Sequence, residues 1–374
     1  MSKHNYKPVI MSGGDLLSQG SFGCVFHPSL SCSKQSNKSK KRTYVTKIQE
    51  NSWVSINEEN QSKKIRQIEN YKNYFTPIET SCDGEYLKQS EIENELNKSE
   101  SCDILNLNKS SLRVQYTPYM SLTKIIDFFK SDEKAMNKHK INQKLYKIIF
   151  FYKHLLDAVE KLNEQNISHH DLHQENIVVD SVRQLPIIID FGYSHDISIF
   201  DVNKTIGITI QQHEPILHIL YNFNLPKIWQ IHYCLEILIL NILVKSQLNM
   251  NYDMLKTFDD LEKVMIAYIK DKFKRFSSTF VKVWTDLTKN QLRYYKSLTI
   301  NEMYKQLITY KHTWNTVAIS LLFITICDVS FAEIPKNKTL KEFLKLLLIN
   351  VHPNPKKRDK VSEIKRKLHK IFKI

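Results

Sequence analysis

Two carboxylates and one amide lie close together near the middle of the chain, and these residue types suit phosphoryl transfer. Asp171 and Asn176 belong to the stretch His-His-Asp-Leu-His-Gln-Glu-Asn at residues 169–176, and Asp190 follows in Ile-Ile-Asp-Phe-Gly at residues 188–192. In such a reaction one carboxylate accepts the proton of the attacking hydroxyl, while carboxylate and amide oxygens hold the magnesium ions that neutralise phosphate charge. The three residues therefore predict a site for transferring a phosphoryl group.

Glycine is scarce in this chain, and its positions indicate a phosphate-binding turn upstream. There are seven glycines in 374 residues, against a usual share of about 7%. Gly20, Gly23 and Gly192 all fall in the motifs, as expected where a side chain would obstruct the backbone. The segment around Gly20 and Gly23 predicts a strand–turn–strand that covers nucleotide phosphates. Its residues are Leu17, Ser18, Gln19, Gly20, Ser21, Phe22, Gly23, Cys24 and Val25.

Apolar periodicity predicts the elements that position these groups. Residues 186–189 predict a strand before Asp190, residues 45–48 predict a strand that carries Lys47, and residues 112–117 alternate as a third strand. A helical period over residues 145–162 predicts the helix that leads into the Asp171 loop. Each motif thus follows or lies on a predicted regular element.

With these motifs in this order, the chain resembles the eukaryotic-type protein kinase superfamily over nearly all of its length. The matching parts are the glycine-rich turn, Lys47, the His-x-Asp-Leu-x-x-x-Asn loop and the Asp-Phe-Gly. Residues 20–32 and 185–194 further resemble divergent serine/threonine kinases of large nucleocytoplasmic DNA viruses. The composition, rich in Asn, Lys and Ile and poor in Gly, suits an AT-rich genome, a bias that many unrelated organisms share.

The resemblance implies an α+β, bilobal, protein-kinase-like fold. It predicts a small antiparallel β-sheet lobe at residues 1–117 and a hinge at 118–121 that binds adenine. A larger, mainly helical lobe would follow at residues 122–374. An insertion is expected at about 29–42 in the small lobe, and a second at about 227–312 in the large lobe.

The resemblance also assigns roles to residues. Lys47, Asp171 and His173 would be catalytic, with Lys47 on the phosphates and Asp171 on the nucleophile's proton. Asn176 and Asp190 would hold Mg²⁺, and residues 17–25 would bind ATP. Glu59 is the preferred partner of Lys47, with Glu58 as the alternative, because both glutamates are predicted to open a helix that runs through Ile65, Ile68 and Tyr71. Protein serine and threonine hydroxyls would be the acceptors.

Several positions depart from the family pattern. Ser18 replaces the first glycine of the loop, and His173 stands where serine/threonine kinases have a lysine near the γ-phosphate. His170 replaces the arginine that often gathers an activation-loop phosphate, which predicts an enzyme that needs no such phosphate. No Ala-Pro-Glu closes the activation segment, and Thr313 is expected where most kinases have a bracing aspartate. Near the C-terminus, Arg358 resembles the end of the family's Pro-x-x-Arg element.

Composition bounds the remaining properties. The six cysteines form no Cys-x-x-Cys pair and no metal-ligand cluster, so neither disulfides nor structural zinc are expected, which fits a reducing compartment. The apolar runs 234–244 and 317–327 are shorter than the roughly twenty residues that a bilayer requires, so buried helices and no membrane span are expected. The resemblance implies the host cytoplasm, with packaging in the virion as a second location.

The net charge is +15, and basic residues concentrate at 34–42 and 356–374. These runs are typical of solvated faces. Because no aromatic residues are interleaved with them, a nucleic-acid site is not predicted. The sequence names no protein substrate.

Two alternatives remain open. The pattern His-x-Asp-x-His-x-x-Asn also resembles small-molecule phosphotransferases of the aminoglycoside and choline kinase type, although Phe22–Gly23, Gly192 and the Pro-x-x-Arg element favour a protein kinase. The other alternative is a nucleotide-binding pseudokinase that acts as a scaffold. The presence of Lys47 and of the residues at 171, 176 and 190 favours an active enzyme instead.

Overall fold

The chain divides into two compact units. A computed structural model describes residues 15–20, 23–32, 43–88, 90, 93, 102–130, 137–221, 233–249, 251–331 and 337–372. The first unit comprises Met1–Gln67 and Thr76–Ser121, and the second comprises Ile68–Phe75 and Leu122–Ile374. Residues 68–75 thus belong to the second unit, although they fall inside the range predicted for the small lobe.

The first unit is built on an antiparallel sheet of five strands in the order β1-β2-β3-β5-β4. Alternate residues of β2, Cys24 and Phe26, point into the core, as the two-residue period of a half-buried strand requires. The elements are β1 (Asp15–Gly20), β2 (Gly23–His27), β3 (Tyr44–Glu50), helix α1 (Trp53–Ile65), β4 (Thr80–Asp83) and β5 (Leu112–Pro118). Most of the predicted 29–42 insertion, residues 33–42, lies outside the described residues.

Two disulfides cross-link the first unit, so the expectation of unpaired cysteines is wrong. Cys24 is bonded to Cys102 and Cys32 to Cys82, with Cα–Cα distances of 6.1 and 6.9 Å. The partners lie 78 and 50 residues apart in sequence, and sequence spacing cannot reveal a pairing that the sheet creates. Cys234 and Cys327 are free and buried. Cysteine usage therefore no longer supports a reducing compartment.

The second unit contains short antiparallel strands among many helices. Strands β6 (Leu122–Lys124), β8 (Ile177–Asp180) and β9 (Pro186–Ile188) form one sheet in the order β6-β8-β9, and β7 (Ile167–Ser168) pairs with β10 (His195–Asp196). The long helix α3 buries one apolar face that includes Ile148, Tyr152 and Leu155. The helices are α2 (Ile125–Phe129), α3 (Lys138–Glu164), α4 (Ile206–Tyr221), α5 (Leu235–Leu248), α6 (Met254–Lys272), α7 (Ser278–Lys296), α8 (Ile300–Thr309), α9 (Trp314–Ser330), α10 (Lys338–Asn350) and α11 (Val361–Phe372).

The prediction of an α+β chain with a small antiparallel sheet and many helices is confirmed. Both apolar runs form buried helices, α5 and α9. Within the described part of the chain, one helical stretch, Lys311–Ser330, is long and apolar enough to cross a bilayer, but 78% of its apolar window is buried in the protein. Such burial is typical of a core helix. The described part of the predicted 227–312 insertion contains α5 to α8.

Candidate active site

The loop with Asp171 connects β7 to β8 in the second unit, and Asn315 at the start of α9 braces it. The Asn315 side chain accepts a hydrogen bond from the His169 backbone N–H at 2.9 Å and donates one to the Ile167 carbonyl, also at 2.9 Å. The expectation that Thr313 occupies this bracing position is therefore wrong. The Thr313 hydroxyl instead donates to the Tyr310 carbonyl and accepts from Arg358. A carboxamide suits this position because it both donates and accepts.

Asn176 and His173 converge on the Asp171 carboxylate. Asn176 Nδ2 donates to Asp171 Oδ2 at 2.9 Å and to the Asp171 carbonyl at 3.0 Å. His173 Nε2 lies 3.4 Å from Asp171 Oδ1. Three residues that the sequence grouped as site residues are thus in contact. Because the Asn176 amide nitrogen faces Asp171, its side-chain oxygen is left for another partner such as a metal ion.

Asp190 follows β9 and is held next to the same loop through the backbone. The Ile189 N–H donates to the Asn176 carbonyl at 3.0 Å, and His169 Nε2 lies 3.1 Å from the Ile189 carbonyl oxygen. Phe191 is buried against His169, with ring centroids 4.9 Å apart. These contacts fix the backbone on both sides of the carboxylate.

The electrostatic environment shows that Asp171 and Asp190 share neighbours. Burial raises the pKa of Tyr193 to about 12, and the negative charges of both aspartates add to the rise. Burial lowers the pKa of His169, against the opposing effect of the same two carboxylates. The charges of Asp171 and Asp190 therefore act on both Tyr193 and His169, as expected of residues that line one site.

Backbone conformation also distinguishes this region. His170 and Asp190 adopt φ angles of 63° and 60°, a left-handed conformation that is uncommon outside glycine. Such residues persist where the surrounding structure holds them and cluster at functional sites. The His170 ring is buried, with its centroid 4.5 Å from that of His195. The hypothesis drawn from His170, that no activation-loop phosphate is needed, stays a prediction.

Two contacts of buried side chains in the second unit were missed by sequence reasoning. The hydroxyl of buried Tyr233 donates to Asp171 Oδ1 at 3.3 Å. Three residues later, Glu236 forms a bidentate ion pair with Arg358 at 2.9 and 3.0 Å. The one available signal was an acid inside the apolar run 234–244. A buried acid implies a buried cation as its partner.

In the first unit, Lys47 pairs with Glu58 rather than with Glu59, so the preferred assignment is wrong. Lys47 Nζ lies 2.9 Å from Glu58 Oε2. Glu59 instead binds Arg113, whose Nε and Nη2 donate to its two oxygens at 2.6 and 2.7 Å. Burial favours a higher pKa for Glu59, but its hydrogen bonds with Arg113 and Ser81 and the Arg113 charge outweigh burial and lower the pKa.

The preference for Glu59 over Glu58 assumed that the helix begins at these residues, but α1 begins earlier. It starts at Trp53, after Ser52, whose backbone N–H donates to the Ser55 hydroxyl at 2.9 Å. The glutamates therefore lie in mid-helix, and consecutive residues of a helix point about 100° apart. The helix also ends at Ile65, before Ile68 and Tyr71, which the predicted helix had included.

The predicted nucleotide-binding turn is described in part. Leu17, Ser18 and Gln19 are exposed on β1, Gly20 ends that strand, and Ser21 and Phe22 lie outside the described residues. A Cβ on Gly23 would lie 2.0 Å from the Ile48 carbonyl oxygen. Close packing of β2 on β3 therefore requires glycine there.

The last two residues of the turn face different surroundings. Cys24 is buried in the core and bonded to Cys102, so its side chain is not available to a nucleotide. Val25 is partly buried.

The oxygen donors at the Asp171 site suit Mg²⁺. This ion binds proteins through one or two carboxylates together with substrate phosphates. Asp190 supplies a carboxylate, and Asn176 supplies the amide oxygen that Asp171 does not engage. Among the described residues, no group of three or more His, Cys, Asp or Glu side chains could hold a metal by itself. A magnesium ion here would complete its ligand shell with phosphate oxygens and water.

Compared with protein-family models and with curated proteins, the chain matches neither a family nor a curated relative.

Proposed function

We propose that the chain is an ATP-dependent protein kinase that transfers the γ-phosphoryl group of ATP to serine or threonine hydroxyls. The observation that carries the proposal is the contact of Asp171 with Asn176, beside an Asp190 that shares their surroundings. We also propose that the chain has a bilobal, protein-kinase-like fold and is related to kinases of large DNA viruses. The sequence motifs support this part of the proposal.

Each unit contributes different chemistry. In the second unit, Asp171 would orient the acceptor hydroxyl and take its proton, with Asn176, His173 and Tyr233 holding the carboxylate in place. Asn176 and Asp190 would hold Mg²⁺, which neutralises charge on the phosphates. In the first unit, Lys47 would bind phosphate oxygens while Glu58 positions its ammonium group. Catalysis would consist mainly of positioning and charge neutralisation.

The test is phosphoryl transfer by the purified full-length protein. Labelled ATP and Mg²⁺ are incubated in parallel with a basic protein, an acidic protein, an aminoglycoside and choline. Phosphoamino acids in the labelled proteins are identified after hydrolysis. Label on protein serine or threonine supports the proposal. Label on aminoglycosides or choline alone would instead indicate the small-molecule phosphotransferase, and ATP binding without transfer would indicate the pseudokinase.

Substitution separates the roles. Asp171→Asn should lower kcat by about 10²–10⁴-fold, because it removes the proton acceptor, and Asp190→Asn should abolish turnover by removing a magnesium ligand. Asp286→Asn, an exposed aspartate of α7, is the control and should leave activity unchanged. Near-parental activity of either site variant would refute the assigned roles.

A further inference from the structure

Two strands of the first unit present a block of four polar side chains to helix α1. In the β3–β5 register, Lys47 is opposite Gln115 and Gln49 is opposite Arg113. Residues two apart on a strand point to the same face, and directly opposed residues share that face. All four side chains can therefore reach the same helix.

The four side chains donate hydrogen bonds to one side of α1. Gln49 Nε2 donates to Glu58 Oε2 at 2.9 Å and to Gln115 Oε1 at 2.7 Å. Gln115 Nε2 in turn donates to the Ser55 carbonyl at 3.0 Å. Lys47 and Arg113 add ion pairs with Glu58 and Glu59. Together, these contacts join strands β3 and β5 to helix α1 at Ser55, Glu58 and Glu59. Gln49 and Gln115 thus form a continuous chain of amide hydrogen bonds, which we call the amide clamp.

The amide clamp lies in the interior of the unit. Gln49, Gln115 and Glu58 are each less than 5% exposed. A buried carboxylate and buried amides are costly unless they are hydrogen-bonded, so here these bonds substitute for apolar packing between helix and sheet. Water competes poorly at such a position, which makes each bond directional and strong.

The amide clamp gives Glu58 a second donor that does not depend on Lys47. Lys47 and Gln49 both donate to the same oxygen, Glu58 Oε2. When the Lys47 ammonium group engages phosphate, Gln49 still holds the carboxylate in place. Gln115 holds the helix backbone at Ser55, one turn earlier.

We propose that Gln49 and Gln115 are positioning residues that keep α1 docked, so that the Lys47–Glu58 ion pair forms without an activating partner or a modification of the helix. The inference rests on the proposed kinase function and deepens it, because it explains why the Lys47–Glu58 ion pair would need no activation step. The pair is permanently assembled because Gln49 holds its acid and Gln115 holds the helix backbone one turn earlier.

The experiment replaces each clamp amide by an apolar side chain of similar size. Gln49→Met should lower kcat about tenfold, and Gln115→Met should lower it by a smaller factor because Gln115 reaches Glu58 only through Gln49. Gln61→Met is the matched control, since Gln61 is a buried amide of α1 that bonds Asn57. It should change kcat less than twofold. Equal activity of Gln49→Met and the parent would overturn the proposal.

A double-mutant cycle with Glu58→Gln distinguishes positioning from general stabilisation. If Gln49 acts through Glu58, Gln49→Met should have little further effect on kcat in the Glu58→Gln background. Multiplicative losses in the double variant would show that Gln49 acts independently of Glu58, against the proposal.

Hydrogen exchange of the α1 backbone gives a readout that needs no catalysis. Gln49→Met should accelerate exchange in α1, whereas Gln61→Met should do so less; the reverse order would overturn the proposal. If the parent protein transfers no phosphoryl group but the α1 exchange follows this prediction, the kinase function fails while the clamp stands. If the parent is active and Gln49→Met changes neither kcat nor exchange, the clamp alone fails.

Discussion

Each unit contains a buried or partly buried ion pair, and the two pairs differ in the exposure of their cations. In the first unit, the Lys47 and Glu58 side chains are 17% and 5% exposed. In the second, the Arg358 and Glu236 side chains are 2% and 0% exposed, and the contact is bidentate. Lys47 can turn to a phosphate, whereas Arg358 is enclosed and also bonds the His352 carbonyl. Residual exposure therefore separates a pair suited to binding from one that serves structure.

The largest expected effect is the loss of the enclosed pair. Glu236→Ala would leave the Arg358 guanidinium buried without its carboxylate, and we expect the free energy of unfolding of the second unit to fall by about 3–5 kcal/mol. Urea unfolding followed by circular dichroism measures the change.

A double replacement sharpens this interpretation. Glu236→Leu combined with Arg358→Met removes both charges and should recover most of the lost stability, because apolar side chains of similar volume can substitute for a buried pair. A double variant as unstable as Glu236→Ala would contradict the explanation by an uncompensated charge.

The next effect concerns the disulfides, which cross-link the first unit. Cys24→Ser or Cys32→Ser should each lower the stability of this unit by about 2–4 kcal/mol, because the unfolded chain regains the entropy of a long loop. Thermal unfolding with and without reductant measures the loss. Cys327→Ser removes a cysteine that forms no disulfide, so its midpoint should respond to reductant as the parent's does. Titration of six free thiols in the unfolded, unreduced protein would show that the disulfides do not form.

The smallest of the three effects is a pH dependence in the second unit. Burial lowers the pKa of His195 from 6.5 to about 3. The unfolded chain therefore binds this proton at a pH where the folded chain does not. The contribution of His195 to stability is therefore greatest above pH 6.5 and declines as the pH falls toward 3. Between pH 7 and pH 5 this contribution should fall by about 2 kcal/mol.

The variant His195→Phe isolates this contribution. Its free energy of unfolding should depend less on pH than the parent's by about 2 kcal/mol over the same range, measured by urea unfolding at each pH. His139→Phe replaces an exposed histidine and should leave the parental pH dependence intact. Parallel curves for His195→Phe and the parent would show that His195 is protonated equally in both states.

The contrast between Asn315 and Thr313 shows where sequence reasoning stopped. The resemblance placed Thr313 where most kinases have a bracing aspartate, but the bracing side chain is Asn315, two residues later at the same helix start. Only the register of α9 decides which side chain reaches the His169 backbone. The same holds for Glu58 and Glu59, because only the packing of α1 on the sheet decides that Glu58 meets Lys47 and Glu59 meets Arg113. Boundaries of elements depend on capping and packing, which short patterns describe poorly.

The amino-acid sequence by itself determined the features that depend on neighbours in the chain. These are the strands with Lys47 and before Asp190, the α+β composition, the buried helices, and the grouping of Asp171, His173 and Asn176 within one short loop. The tertiary structure alone decided which distant groups meet: Cys24 with Cys102, Glu236 with Arg358, and Gln49 with Gln115. The physical reason is that local patterns encode backbone periodicity, whereas contacts between distant residues arise when strands pair and helices pack.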